Sequence, residues 1–88
     1  MKKCRNTWVF WKTERYPENL PIPEKCLSYT IFKKSGVDVI IDRSETLADG
    51  EYYPVDQHSG YYHTGFIRIN KVEAGSSDVH IRFTIDVS

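Results

Sequence analysis

From Asp78 to Val87 the chain alternates without a break. Val79, Ile81, Phe83, Ile85 and Val87 are apolar, and His80, Arg82, Thr84 and Asp86 between them are polar. Successive side chains on an extended backbone point to opposite sides, so this pattern is a strand with one face buried and one face wet. A helix would scatter the same apolar residues around its circumference. Elsewhere no window of a dozen residues carries apolar side chains at i, i+3, i+4 and i+7 without an intervening Pro or Gly. The chain is therefore expected to be all-β.

Further strands follow from the same period. Thr7–Lys12 is rich in β-branched and aromatic residues, and Thr64–Val72 places Ile67 and Ile69 toward a core. Tyr52–Val55 is a short strand opened by Asp49-Gly50, and its Pro54 predicts an edge position. Cys26–Asp42 reads as a hairpin turning at Lys34-Ser35-Gly36, with Ile31 facing Val39 and Tyr29 facing Ile41. That register gathers Leu27, Tyr29, Ile31, Val37, Val39 and Ile41 on one side, whereas a slip of one residue would mix the faces. Lys33 and Lys34 then flank a hydrophobic strand and discourage aggregation. Ser44–Asp49 is either one helical turn or a loop. Thr13–Glu24 is a proline-containing connection whose Leu20 and Ile22 are expected to cover the outer face of Trp8-Val9-Phe10-Trp11.

With 88 residues, these elements make one domain spanning 1–88. The expected fold is a small antiparallel β-sandwich or curved open barrel of about six strands. A chain of this length buries only about 60–65% of its unfolded surface, so its core is thin and a roomy catalytic cavity is not expected.

Leu47-Ala48-Asp49-Gly50-Glu51-Tyr52 resembles the tyrosine-corner stretch of immunoglobulin-like domains, in which Asp and Gly precede a strand-starting Tyr. The resemblance covers these six residues and implies a β-sandwich corner.

Charge narrows the function classes. Residues 1–34 hold eight Lys/Arg and three Glu, a balance of +5; residues 35–88 hold four Lys/Arg and nine Asp/Glu, a balance of −5. The total is zero, whereas nucleic-acid binders carry a basic excess over the domain, so this class ranks last. Opposite halves attracting each other across the fold is the simpler reading. The basic start is followed by only four consecutive apolar residues, Trp8 to Trp11, too few for a secretory leader or a membrane span. A cytoplasmic protein without membrane attachment is expected, with Cys4 and Cys26 as free thiols.

No catalytic motif is present, and a non-enzyme without a cofactor is expected. Asp56, His58 and His63 offer oxygen and imidazole donors for a transition metal, and a metal-dependent enzyme built on them is one reading. The His-x4-His spacing does not put both rings on one side of a strand, and a polar loop explains these residues as well. Aromatics give the stronger lead. In the adjacent pairs Tyr52-Tyr53 and Tyr61-Tyr62, an extended backbone turns one member outward. Trp8 and Trp11 lie on opposite faces of the first strand. The expected function is a binding module that meets a protein partner through Tyr52, Tyr53, Asp56, His58, Tyr61, Tyr62, Trp8 and Trp11. The same loop tyrosines could instead stack on a sugar or small ligand, and edge strands would permit self-association.

Overall fold

The computed structural model describes residues 6–15, 18–56 and 61–87. Its strands in chain order are β1 (Thr7–Glu14), β2 (Leu20–Pro21), β3 (Cys26–Gly36), β4 (Val39–Ile41), β5 (Glu45–Leu47), β6 (Tyr52–Val55), β7 (Phe66–Ile67), β8 (Ile69–Lys71) and β9 (Ser77–Asp86). They form three antiparallel sheets: β1-β9-β3-β6, β2-β7 and β5-β4-β8. None closes into a barrel, so the fold is an open all-β architecture. The strand count exceeds the six expected because several elements are only two or three residues long. No helix of the described residues is long and apolar enough to cross a membrane.

One core joins the sheets. Tyr29, Ile31, Val79, Ile81 and Phe83 come from the four-stranded sheet, Val39, Ile41, Leu47 and Ile69 from the three-stranded sheet, and Leu20 and Ile67 from the short pair. The alternating side chains of β9 supply the centre of this layer, where Val79, Ile81 and Phe83 are almost wholly buried. Each such side chain contributes about 1.5–3 kcal/mol when removed from water.

The expected hairpin is not formed. Strands β3 and β4 leave Gly36 into different sheets, and Ile31 pairs with Ile81 and Tyr53 instead of Val39. The predicted inward set nevertheless holds for Leu27, Tyr29, Ile31, Val39 and Ile41, all buried. Burial periodicity survives a change of pairing partner because it depends on which side faces the core and not on which strand lies alongside. Gly36 makes the crossover possible. Its φ is +100°, and a Cβ there would run into the Ser76 carbonyl oxygen and lie 2.8 Å from Ser77 Cα.

Other expectations change for local reasons. Lys33 is not a solvated flank but fully buried, because it continues the inward series of Tyr29 and Ile31. Its ammonium is satisfied by the Gly36 carbonyl oxygen at 3.0 Å and by the Asp49 carboxylate. Ser44–Asp49 is neither helix nor loop over its length, since Glu45–Leu47 forms β5. The turn before it places both Asp42 (φ 50°) and Arg43 (φ 65°) in the left-handed region, with the Ser44 amide donating to the Ile41 carbonyl at 3.1 Å. Hairpin turns of this hand usually announce themselves as Asn-Gly or Asp-Gly, and Asp-Arg does not. Leu20 enters the core beside Ile67 and leaves Trp8 and Trp11 uncovered. The stretch 64–72 divides into β7 and β8 in separate sheets, both isoleucines staying buried.

The tyrosine-corner likeness is only partial. Tyr52 does start a strand after a turn at Gly50 (φ 84°), but its ring lies over Phe32, with centroids 4.6 Å apart. Asp49 serves the buried Lys33.

Candidate functional site

The four-stranded sheet has two edges, and they differ. Strand β6 is four residues long and carries Pro54, a residue that cannot donate to an added ladder. Strand β1 is eight residues long, Thr-Trp-Val-Phe-Trp-Lys-Thr-Glu, with neither Pro nor Gly. It pairs with β9 in unbroken register from Thr7–Asp86 to Glu14–Val79. Among the described residues no strand lies on its other side.

The phase of the ladder can be read from its end. The Val87 amide donates to the Asn6 carbonyl at 3.0 Å. Hydrogen-bonded and non-bonded pairs alternate in an antiparallel ladder. The peptide groups of Trp8, Phe10 and Lys12 therefore serve β9, and those of Thr7, Val9, Trp11 and Thr13 point to the open edge. Side chains enlarge the surface. Trp8, Val9 and Trp11 are 56%, 48% and 57% exposed, respectively. Phe10 is partly buried and fixes the strand to the core through Phe83, ring centroids 5.3 Å apart, with Trp8 packed 4.9 Å from it on the same face.

The outer face of this sheet, away from the core, continues from the open edge. In one row Trp11 opposes Arg82, whose guanidinium carbon lies 6.0 Å from the indole centroid. In the next row Thr13 Oγ1 lies 3.0 Å from His80 Nδ1, His80 stacks on Phe32 at 6.2 Å, and Phe32 packs on Tyr52. Phe32, His80 and Arg82 were not among the expected site residues. The alternation that defines the inward set also sends these three outward, so the signal was present in the sequence.

The structure separates the residues expected to act together. Trp8 and Trp11 share β1, and Tyr52 shares the outer face with Trp11 but sits on the opposite edge strand. Tyr53 turns inward and packs against the core. Tyr61 is well exposed, while the Tyr62 hydroxyl donates to Asp86 Oδ2 at 2.9 Å, at the end of β9 across from Thr7. Asp56 follows β6 and its carbonyl oxygen accepts from His63 Nε2 at 2.8 Å. The His63 ring meets Tyr29 edge-on. His58 and Cys4 lie outside the described residues. No group of three His, Cys, Asp or Glu able to hold a metal occurs among the described residues. Cys26 is buried, donates to the Ser28 carbonyl at 3.4 Å, and has its thiol pKa pushed up by burial. A nucleophilic cysteine needs the opposite shift.

Burial also raises the Tyr29 hydroxyl to about 12, helped by the nearby negative charge of Asp42. The neutral phenol is the form the fold favours. Its contribution is complete below the ordinary tyrosine pKa near 10 and is lost as pH rises toward 12. The displacement corresponds to about 2–3 kcal/mol. A phenolate absorbance titration is expected to show one tyrosine ionising well after the exposed ones, with stability falling over the same interval. Removal of the late step by Tyr29→Phe would assign it; an unchanged curve would refute the assignment.

The chain matches no protein-family model, no curated protein and no solved structure.

Proposed function

We propose that this domain is a non-catalytic protein-binding module that receives an extended segment of its partner along the open edge of β1. The observation that carries the reading is the edge itself: eight residues of strand with outward peptide groups at Thr7, Val9, Trp11 and Thr13 and exposed aromatics on both faces. An added strand gains main-chain hydrogen bonds from the edge and side-chain selectivity from Trp8 on one face and Val9 and Trp11 on the other. A long edge lacking Pro and bulges is what proteins otherwise avoid, since it invites pairing; its two inner-face charges, Lys12 and Glu14, lie near one end of the strand and pair with each other at 3.5 Å. A cytoplasmic setting belongs to the same proposal and is supported by the free, buried Cys26.

Panning random linear peptides against the chain tests the reading. Enriched peptides are expected to alternate apolar and polar residues. Val9→Pro removes a donor that faces the open edge and leaves the β1–β9 ladder intact, so it should weaken them at least about tenfold. The Tyr61→Ala/Tyr62→Ala pair should change affinity less than about twofold. Peptides that bind Val9→Pro undiminished would overturn the edge assignment. A second reading rests on Trp11 and Tyr52, both exposed on the outer face: a sugar or other small ring could stack there. Trp11→Ala would abolish such binding, while Val9→Pro would spare it.

A further inference from the structure

We infer that the occupant of the β1 edge is β1 of a second copy of this chain, paired antiparallel about a two-fold axis through Phe10. The inference rests on the edge reading above and names its partner.

The backbone limits the registers. Only Thr7, Val9, Trp11 and Thr13 direct peptide groups outward, so a new ladder must pair these odd-numbered residues with one another. Registers that oppose an odd residue to an even one form no ladder and set the inner face of one sheet against the outer face of the other. Four symmetric registers then need comparison, with the axis at Val9, Phe10, Trp11 or Lys12.

The opposed side chains choose among them. An axis at Lys12 places two ammonium groups directly opposite each other, which destabilises the pair. An axis at Trp11 sets the Glu14 carboxylate against Trp8, whose ring face is itself negative. An axis at Val9 opposes Lys12 to Asn6, so neither a ring nor an opposite charge across the pair answers the ammonium. With the axis at Phe10, Thr7 to Thr13 pair with one another. Lys12 then opposes Trp8, a cation against an aromatic face, and Glu14 opposes Asn6. Val9 opposes Trp11 and Thr7 opposes Thr13, as hydrogen-bonded pairs. Phe10 meets its own copy, flanked on the same face by both Trp8 rings, which stack on Phe10 within each chain. Strand β1 is thus self-complementary in one register, and pairing it joins two four-stranded sheets into one of eight.

Sedimentation equilibrium of the full chain, from dilute to near-millimolar protein, is the first measurement. The mass is expected to rise from the 10.3 kDa monomer to the dimer, and Val9→Pro should raise the dissociation constant at least about tenfold. Directly opposed, non-hydrogen-bonded residues have Cα atoms about 4.5 Å apart, within reach of a disulfide. In a Cys4→Ser background, Phe10→Cys should therefore yield a covalent dimer on mild oxidation, and Thr13→Cys should not. Should Phe10→Cys fail to fold, Trp8→Cys/Lys12→Cys probes the same register from exposed positions.

A monomer at every concentration would overturn the inference. If that monomer still captured strand-forming peptides through β1, the edge reading would stand with a different occupant. A dimer indifferent to Val9→Pro, or one crosslinked through Thr13 and not Phe10, would overturn it as well.

Discussion

Gly36→Ala is expected to destabilise the domain by about 3–5 kcal/mol, lowering its melting temperature by more than about 12 °C. Two costs combine. The glycine sits at φ +100°, which side-chain-bearing residues rarely adopt, and its missing Cβ is the space taken by Ser76 and Ser77. The neighbouring atoms are backbone, so they cannot step aside as a flexible side chain would. Gly50 is the internal control: its φ is +84°, but nothing lies within 4 Å of the position its Cβ would take. Gly50→Ala should cost only about 1 kcal/mol, the conformational part alone. Thermal unfolding of the two variants side by side measures the difference. Equal losses would mean that the crossover at Gly36 is not as close-packed as described.

The second large effect concerns Lys33, whose side chain is fully buried while that of Asp49 is 60% exposed. Removing the carboxylate leaves a buried ammonium with only the Gly36 carbonyl oxygen as partner. Removing the ammonium leaves a carboxylate that water can reach. The two deletions are therefore unequal. Asp49→Ala should cost about 2 kcal/mol, a value reduced from that of a fully buried pair because water screens the exposed partner. Lys33→Met keeps the apolar stem and removes the charge, and should stay within about 1 kcal/mol of the original protein. Once Lys33 is Met, adding Asp49→Ala should have little further effect. Urea unfolding of the three variants tests this, and a Lys33→Met loss larger than that of Asp49→Ala would reverse the assignment. Since Lys33 touches the Gly36 carbonyl, these changes and Gly36→Ala are not expected to add.

What the sequence disclosed was orientation. The inward sides of β9, β3 and β4, the start of β1, and the edge position of β6 all follow from alternation and from Pro54. Pairing did not follow. Ile31 and Val39 are both inward-facing, and nothing local says whether they oppose each other in one sheet or face the same core from two. The Asp42-Arg43 turn hides in a dipeptide that usually avoids positive φ. Lys33 breaks the rule that lysine lies outside, and its partner Asp49 is a distant turn residue. For the candidate surface, Trp8 and Trp11 were legible, but the openness of the β1 edge was not. It is a property of sheet order, which places β9 between β1 and β3.

That sheet order also governs how the domain can be made. Strand β3 can pair with β6, but β1 has no ladder to join until β9 arrives, and Thr7 must find Asp86 across the length of the domain. Closing so long a loop spends conformational entropy before any contact repays it, which sets such folds among the slower two-state folders, in milliseconds to seconds. During synthesis the aromatic strand β1 leaves the ribosome before β9 and waits, unpaired, until β9 has followed. For that interval Trp8, Val9, Phe10 and Trp11 form an exposed apolar segment that chaperones can hold and that neighbouring nascent chains can capture.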